Sequence, residues 1–225
     1  MKPIAKIITD FPTKFGIPRQ SGLADELEGT IIFEKEFRNP DALNGLDGFS
    51  HLWIIWEFSE NKRGEFHATV RPPRLGGNNH LGVFATRSPF RPNPLGLSCV
   101  KIESIEYDTE NGAVIHVKGA DMVSGTPIYD IKPYIPFTDS HPEASEGFTQ
   151  STKLHFLEVV FPDSLKGILP KAKEKALKSI LSEDPRPSYA RKDESRIYGF
   201  PFAGHEIKFK VVSSVLTIVS IEKNH

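Results

Sequence analysis

The 225-residue sequence predicts a mainly β protein, a barrel or a sandwich, with some α structure and a small α+β unit towards the C-terminal end. Three observations predict it. Short runs rich in Val, Ile, Phe and Trp recur through the first 135 residues, separated by Gly and Pro. Only one weak helix start interrupts them. The composition then turns polar over Ser140–Thr152, and a lysine-rich amphipathic helix and two alternating strands follow. Many short strands with little helix suit a sheet closed on itself or two packed sheets.

Taken in order, Ile4–Ile8 reads as a first strand and Thr30–Phe33 as a short second. Asn39 is a helix N-cap with Pro40 at the first helical position, and Gly45 and Gly48 bracket the end. Phe49–Phe58 is a dense aromatic and aliphatic run, long enough for a strand buried on both faces. Phe66–Arg71, Val83–Thr86 and Leu97–Tyr107 continue the strand pattern. Asp108–Gly112 is a turn and Ala113–Val117 its hairpin partner. Pro127–Ile135 is strand-like but interrupted by Pro133. A boundary in the polar stretch gives units 1–145 and 146–225. In the second, Leu154–Phe161 is a strand candidate. Lys171–Leu181 is a helix with the apolar stripe Ala172, Ala176, Leu177, Ile180 and Leu181. Pro170 suits its first turn, and Glu183-Asp184-Pro185 stops it. Lys171, Lys173, Lys175 and Lys178 read as a solvated face, with an RNA contact as the alternative. His205–Val212 and Val215–Ile221 alternate as strands. No internal repeat or low-complexity segment is present.

A hydrophobic fraction of 38% supports a core in a chain of this length. The net charge of −1 argues against a uniformly basic nucleic-acid coat. Yet between Asn61 and Lys101 the basic residues Lys62, Arg63, Arg71, Arg74, Arg87, Arg91 and Lys101 face one acid, Glu65. Such an excess steers a polyanion if folding gathers it on one face, and does nothing if folding scatters it. The single cysteine, Cys99, excludes an internal disulfide and a Cys-cluster zinc site. Its apolar setting suggests a small buried hydrophobe rather than a nucleophile. No apolar run reaches membrane-spanning length, and Met1-Lys2-Pro3-Ile4 lacks a signal-peptide core. The expectation is a soluble cytoplasmic protein.

The segment from Gly82 to Ser98 carries Arg87 and Arg91 among Pro89, Pro92 and Pro94. Each proline fixes its own φ and extends its predecessor, so the loop is partly ordered before any ligand arrives. It is either a preformed anion or nucleotide site or a rigid turn with solvated arginines. No G-x-G-x-x-G follows a strand, and there is no P-loop or G-x-S-x-G elbow. Gly76-Gly77 reads as a turn. No His/Asp/Glu cluster has metal-ligand spacing, so no metal is expected. His51 reads as a satisfied core histidine.

Four segments carry a further signal. They are Pro18-Arg19-Gln20-Ser21-Gly22, Phe49-Ser-His-Leu-Trp53, the stretch from Val70 through Gly82-Val-Phe-Ala-Thr-Arg-Ser-Pro-Phe-Arg-Pro-Asn-Pro-Leu-Gly96, and Asp121-Met-Val-Ser-Gly-Thr-Pro-Ile-Tyr-Asp-Ile-Lys-Pro-Tyr134. In this order and spacing they resemble the TrmO family, also called TsaA-like. The resemblance covers residues 3–145 closely and runs more loosely through Asp184–Tyr189 and Tyr198–Phe200. It implies a β-barrel methyltransferase domain that uses S-adenosylmethionine, a homodimer with the cofactor near the subunit interface, and a tRNA substrate. The implied reaction methylates N6 of threonylcarbamoyl-adenosine beside the anticodon, threonine tRNA being the expected carrier; the alternatives are a non-catalytic tRNA-binding module of the same fold and a methyltransferase acting on another substrate.

Carried over residue by residue, the resemblance assigns cofactor contacts to Pro18, Arg19, Gln20, Arg87, Leu97, Lys118, Gly119, Ala120 and Asp121. Ser59 and Glu60 fall at a further contact where residue types vary. The chemistry of these types fits. A carboxylate such as Asp121 takes an ammonium or ribose hydroxyls, and an arginine pairs with the cofactor carboxylate in a bidentate manner. The substrate N–H must lose its proton, and Asp121 and Asp130 are the candidate bases; for Asp130 a structural hydrogen bond is the alternative. Arg91 and Lys132 are candidates for the threonyl carboxylate or a phosphate, or are surface charges. Tyr134 is a candidate for base stacking or strand packing.

Overall fold

The computed structural model describes residues 1–60, 66–72, 79–151, 156–186, 191 and 193–224. Six strands close into an antiparallel barrel. Their spatial order is β1 (Ala5–Thr9), β2 (Glu28–Phe33), β7 (Val114–Lys118), β6 (Leu95–Glu106), β3 (His51–Glu57) and β8 (Thr126–Pro133), which returns to β1. A separate two-residue pair, β4 (Thr69–Val70) and β5 (Leu81–Gly82), lies outside the barrel.

Alternation builds the wall. In β3, Leu52, Ile54 and Trp56 are buried while His51, Trp53, Ile55 and Glu57 are half-buried. Ile7, Ile31, Val100, Ile115, Val117 and Ile128 meet them inside. The Phe49–Phe58 run is thus buried on one face, not two, because a small barrel is a single curved sheet with one interior. Gly96 is required opposite Trp56: an added Cβ would come within 2.2 Å of the indole. His51 sits on the outer face with Nδ1 2.9 Å from Ser50 Oγ, so it is not a core histidine.

Three expectations shrink. Val83–Thr86 is a 3-10 turn over Val83–Ala85, closed by Thr86 N–H and Thr86 Oγ1 on the Val83 carbonyl, with Val83 alone buried. The Asn39 cap exists, its side chain accepting from Asp41 N–H at 3.1 Å, but it starts one 3-10 turn over Pro40–Leu43. Phe66–Arg71 contributes only the two residues of β4. The hairpin of β6 and β7 forms as expected, with Gly112 at φ +74 in its turn.

After β8, a four-residue helix α1 (Pro136–Asp139) leads to the C-terminal α+β unit. There β10 (Ile197–Phe202), β11 (His205–Val212), β12 (Val215–Lys223) and β9 (Glu158–Val160) form a sheet in that order, β9 running parallel to β12. Helix α2 (Lys171–Ser182) packs Ala176, Leu177, Ile180 and Leu181 into its core. The expected strand start at Leu154 lies outside the described residues. Strand β10 is an addition: Gly199 and Pro201 blur its pattern, although Tyr198, Phe200 and Phe202 are buried. Past the helix stop, Asp184 adopts φ +54 and its buried carboxylate pairs with Arg186 through two contacts of 2.8 and 3.1 Å. The lysine face of α2 is not simply solvated. Lys173 Nζ pairs with Asp10 at 2.6 Å and Glu28 at 2.8 Å, Lys175 Nζ pairs with Glu26 at 2.9 Å, and Lys178 lies over the Phe161 ring. No helix among the described residues is long and apolar enough to cross a membrane.

Candidate cofactor and active site

The barrel has a seam between β6 and β7. Strand β6 pairs with β3 through Leu95–Lys101, but meets β7 only from Lys101 onward, where β7 ends at Lys118. The edge of β6 before Lys101 therefore faces no strand on its β7 side. Unpaired buried backbone groups are costly, and the segment between β1 and β2 supplies a partner: Cys99 N–H donates to Ser21 Oγ at 3.1 Å. Gly22 N–H bonds the Gly119 carbonyl at 3.1 Å, and Gly119 N–H bonds the Leu27 carbonyl at 2.8 Å. Gly119 has φ +78, and a Cβ there would press on the Gly22 backbone at 3.2 Å. Glycine is needed for both the turn and the close approach.

Asp121 stands in this seam. Its Oδ1 accepts from Ser98 Oγ at 2.6 Å, and Ser98 Oγ accepts from Trp56 Nε1 at 2.9 Å. A hydrogen-bonded chain thus runs from the barrel core to one carboxylate. Burial pushes the Asp121 carboxyl above the usual range; the Ser98 hydroxyl, its own N–H and that of Ser21, and the Arg87 guanidinium oppose that rise. A desolvated carboxylate under one cation, facing a gap in the wall, is a site for a cationic or hydroxyl-bearing group. A separate cleft of about 430 Å³ opens towards α2, lined by Gly22, Asp25, Glu26, Cys99, Lys118 and Lys175 but by neither Asp121 nor Arg87.

The stiff loop closes on the same place. Arg87 is exposed and donates to the Gln20 carboxamide, which ties the loop to the Pro18–Gln20 segment. Pro18 is buried and Arg19 is exposed. Arg91 turns back into its own loop, donating to the carbonyls of Val83 at 3.1 Å and Thr86 at 2.7 Å, with its guanidinium over the Phe84 ring. Phe84 and Phe90 are 71% and 62% exposed, and Phe66 stacks on Phe84 at 6.3 Å. Of the basic stretch, Lys62, Arg63 and Arg74 lie outside the described residues. Arg71 donates to His80 Nε2 at 2.9 Å.

The remaining candidates line the outer face of β8, β3 and β6. Asp130, Ile55 and Leu97 stand in one cross-strand row, and Lys132, Trp53 and Cys99 in the next. Adjacent strands lie about 4.8 Å apart, so Asp130 and Leu97 are about 10 Å apart across Ile55. Asp130 Oδ1 accepts from Ile131 N–H at 3.0 Å, and Oδ2 lies 3.3 Å from Lys132 Nζ. Tyr134 packs its ring 5.7 Å from Trp53 and 6.2 Å from His51. Cys99 is half-buried, and burial pushes its thiol up, away from nucleophilic use. Ser59 and Glu60 are exposed beyond the end of β3, where Phe58 N–H bonds the Pro94 carbonyl at 2.8 Å. The seam thus gathers Pro18–Gln20, Arg87 and Lys118–Asp121. Asp130, Lys132 and Tyr134 form a second group two strands away.

Sequence reasoning missed Trp56, Ser98 and Ser21. Trp56 looked like core and is 6% exposed, but its indole N–H needed a buried acceptor. A serine inside the apolar run Leu97–Ile102 was the available signal. Among the described residues no cluster of His, Cys, Asp and Glu is arranged to hold a metal.

Comparison with known proteins bears on the fold and the family. The N-terminal domain of tRNA-methyltransferase O matches residues 6–140, and the TrmO C-terminal domain matches residues 155–224. A tRNA (adenine(37)-N6)-methyltransferase of Escherichia coli K12 is 34% identical over 97% of this chain and 96% of its own length. Its counterpart in Eikenella corrodens is 41% identical over 77% of this chain and 97% of its own. A crystal structure of TrmO from P. aeruginosa superimposes with a TM-score of 0.79 at 27% identity, covering 99% of this chain and 95% of that one. With both domains matched and relatives aligned along nearly its whole length, the chain belongs to the TrmO family.

Proposed function

We propose that this protein transfers a methyl group from S-adenosylmethionine to N6 of an adenine in tRNA. The acceptor we assign is threonylcarbamoyl-adenosine beside the anticodon, in threonine tRNA. The observation that carries the reading is Asp121: a half-buried carboxylate at the barrel seam, held by Ser98 and Ser21, with Arg87 acting on it. The donor set fits the cofactor. One carboxylate with one guanidinium acting on it match a ligand that bears an ammonium, ribose hydroxyls and a carboxylate.

When bound, S-adenosylmethionine supplies a methyl group activated by a sulfonium. Arg87 and Gln20 would hold its polar tail, Asp121 its ammonium or hydroxyls, and Leu97, 58% exposed, its apolar flank. Lys118 would act less directly, since it is paired with Glu103 at 2.7 Å. As the N–C bond forms, the substrate nitrogen must give up its proton. Asp130 is the accessible base, its side chain about half exposed, whereas Asp121 is committed to Ser98. Lys132 would pair with the threonyl carboxylate. Arg91 would act by holding the loop that presents Arg87, and Tyr134 by lining the substrate face. The exposed Phe66, Phe84 and Phe90 beside arginines suit unpaired bases of an RNA loop, which stack on aromatic rings. The outer face of β3, β6 and β8 exposes Leu97 beside Ile55 and Trp53, and a second copy covering it would make a homodimer with the site at its interface.

The test is transfer of labelled methyl from S-adenosylmethionine to total tRNA from cells with and without the threonylcarbamoyl modification. Incorporation into the modified pool alone is expected. Equal incorporation into both pools would reject threonylcarbamoyl-adenosine as the acceptor. None in either, with the cofactor bound, would reject tRNA methylation.

A further inference from the structure

The segment between β1 and β2 that carries Pro18–Gly22 is held from two sides. On one side it is bonded to the barrel seam through Ser21 and Gly22. On the other it belongs to the core of the C-terminal unit. Phe11, Ala24 and Leu27, each no more than 2% exposed, pack with Leu177, Phe200 and Phe209. The Phe11 ring lies 5.3 Å from Phe202, and Phe15 meets Phe200 edge-on at 6.0 Å. Gly16, at φ +92, lies so close to Phe200 that an added Cβ would sit 2.5 Å from the ring.

Polar contacts close the ends of the same segment. Asp10 follows the last residue of β1, and Glu28 is the first of β2. Lys173 of α2 bridges both carboxylates at 2.6 and 2.8 Å. The Asp10 carbonyl also accepts from Ala203 N–H at 3.0 Å. Next to Glu28, Glu26 is held by Lys175 Nζ at 2.9 Å and Ser179 Oγ at 2.9 Å. Burial lowers the Lys173 ammonium, but Asp10 and Glu28 outweigh it, so Lys173 stays charged.

We infer that the C-terminal unit is the back wall of the cofactor site, and that Lys173 and Phe200 are positioning residues for S-adenosylmethionine. Neither lies in the group of residues expected to touch it. They fix the feet and the middle of the segment whose tip, Pro18–Ser21, faces the seam. A segment freed on that side must be ordered when the cofactor binds, and ordering residues weakens binding. This rests on the assignment of Pro18–Gln20 to the cofactor, and it gives α2 a role other than holding RNA.

The experiment measures S-adenosylmethionine affinity by calorimetry on the full chain without tRNA, for Lys173→Met, Lys173→Arg, Phe200→Leu and Gln20→Ala, below the melting temperature of each. Steady-state KM values for cofactor and for tRNA follow on the same proteins. We expect Lys173→Met and Phe200→Leu to weaken cofactor affinity on the order of tenfold. Lys173→Arg should restore it, with kcat at saturating cofactor and KM for tRNA within about twofold of wild type. A raised KM for tRNA with cofactor affinity intact would make the helix an RNA contact and overturn the inference. So would a lowered melting temperature with unchanged affinity, since the staple would then be structural only. If Gln20→Ala weakens binding and Lys173→Met does not, this inference fails while the cofactor assignment stands. If Gln20→Ala leaves affinity intact, the cofactor assignment fails and takes this inference with it.

Discussion

Replacing Ser98 by Ala removes one hydroxyl from a residue that is 1% exposed, and that hydroxyl serves two partners. Trp56 Nε1 loses its acceptor at 2.9 Å and Asp121 loses its donor at 2.6 Å. A buried donor left unsatisfied costs about 1–3 kcal/mol, and a hydrogen bond to a charged group is worth about 1.5–3 kcal/mol. The first loss falls on the fold. At about 2 kcal/mol it lowers the melting temperature of a chain this size by roughly 4–8 °C. The second falls on the site. The Asp121 carboxyl, already pushed up by burial, rises further without the Ser98 hydroxyl, and S-adenosylmethionine affinity at neutral pH should fall on the order of tenfold. Trp56→Phe separates the two effects, because it removes the indole N–H and leaves the Ser98–Asp121 bond. It should lower affinity little. Calorimetric titration of both variants against cofactor, with thermal melts alongside, makes the comparison. Wild-type affinity in Ser98→Ala would refute the claim that the chain from the core sets the carboxylate, even if the protein melted early.

Arg87→Ala should weaken cofactor binding by about 10- to 100-fold, the scale of charge-assisted bonds, with little change in melting temperature; unchanged affinity by calorimetry would remove Arg87 from the site. Because the Asp121 carboxyl is raised, stability of the free protein should fall as pH climbs from the ordinary carboxylate value, about 3.9, through the raised one. Affinity for the cationic cofactor should rise over that same window, and Asp121→Asn should flatten both profiles. Asp130→Asn should lower the single-turnover rate by about 10²–10⁴-fold with cofactor affinity unchanged; a normal rate would reject Asp130 as the base. Phe84→Ala, at a ring 71% exposed, should raise KM for tRNA on the order of tenfold without moving the melting temperature. Dissociation of a dimer instead would assign that ring to a subunit contact.

Strands with clean period-2 alternation were legible in the sequence. His205–Val212 lies where the pattern puts it, and the turn at Gly112 joins the strands it was expected to join. Strands whose pattern is broken by glycine or proline were not: Ile197–Phe202 hides Tyr198, Phe200 and Phe202 behind Gly199 and Pro201. Val83–Thr86 carried strand-forming residues, yet the local hydrogen bonds of Thr86 won over propensity. At the site, charged residues announced themselves and their supports did not. Arg87 could be singled out in its proline-stiffened loop and Asp121 came through the family resemblance, whereas Ser98 and Trp56 matter only because register brings them together from different strands. Lys173 read as one of four lysines on a wet helix face, and only the return of the chain placed Asp10 and Glu28 beneath it. Contacts between positions far apart in sequence leave no local period to detect.

The location of the site follows from how this barrel closes. A closed barrel pairs every strand on both sides and offers no edge for recognition. Here β6, twelve residues long, spends its first half on β3 and its second on β7, and the two pairings overlap only at Lys101. The unshared stretch from Leu95 to Val100 must find polar partners outside the sheet. Ser21 supplies one through Cys99, and the β7–β8 connection brings Asp121 to Ser98. Both partners come from segments with glycine at positive φ, Gly22 and Gly119, where a side chain would be strained. The serine turn that satisfies the strand edge also gives its N–H to Asp121, and Arg87 of the neighbouring loop acts on the same carboxylate. A nucleotide-like ligand can be held there without the helix N-terminus and glycine-rich turn that a doubly wound sheet would use.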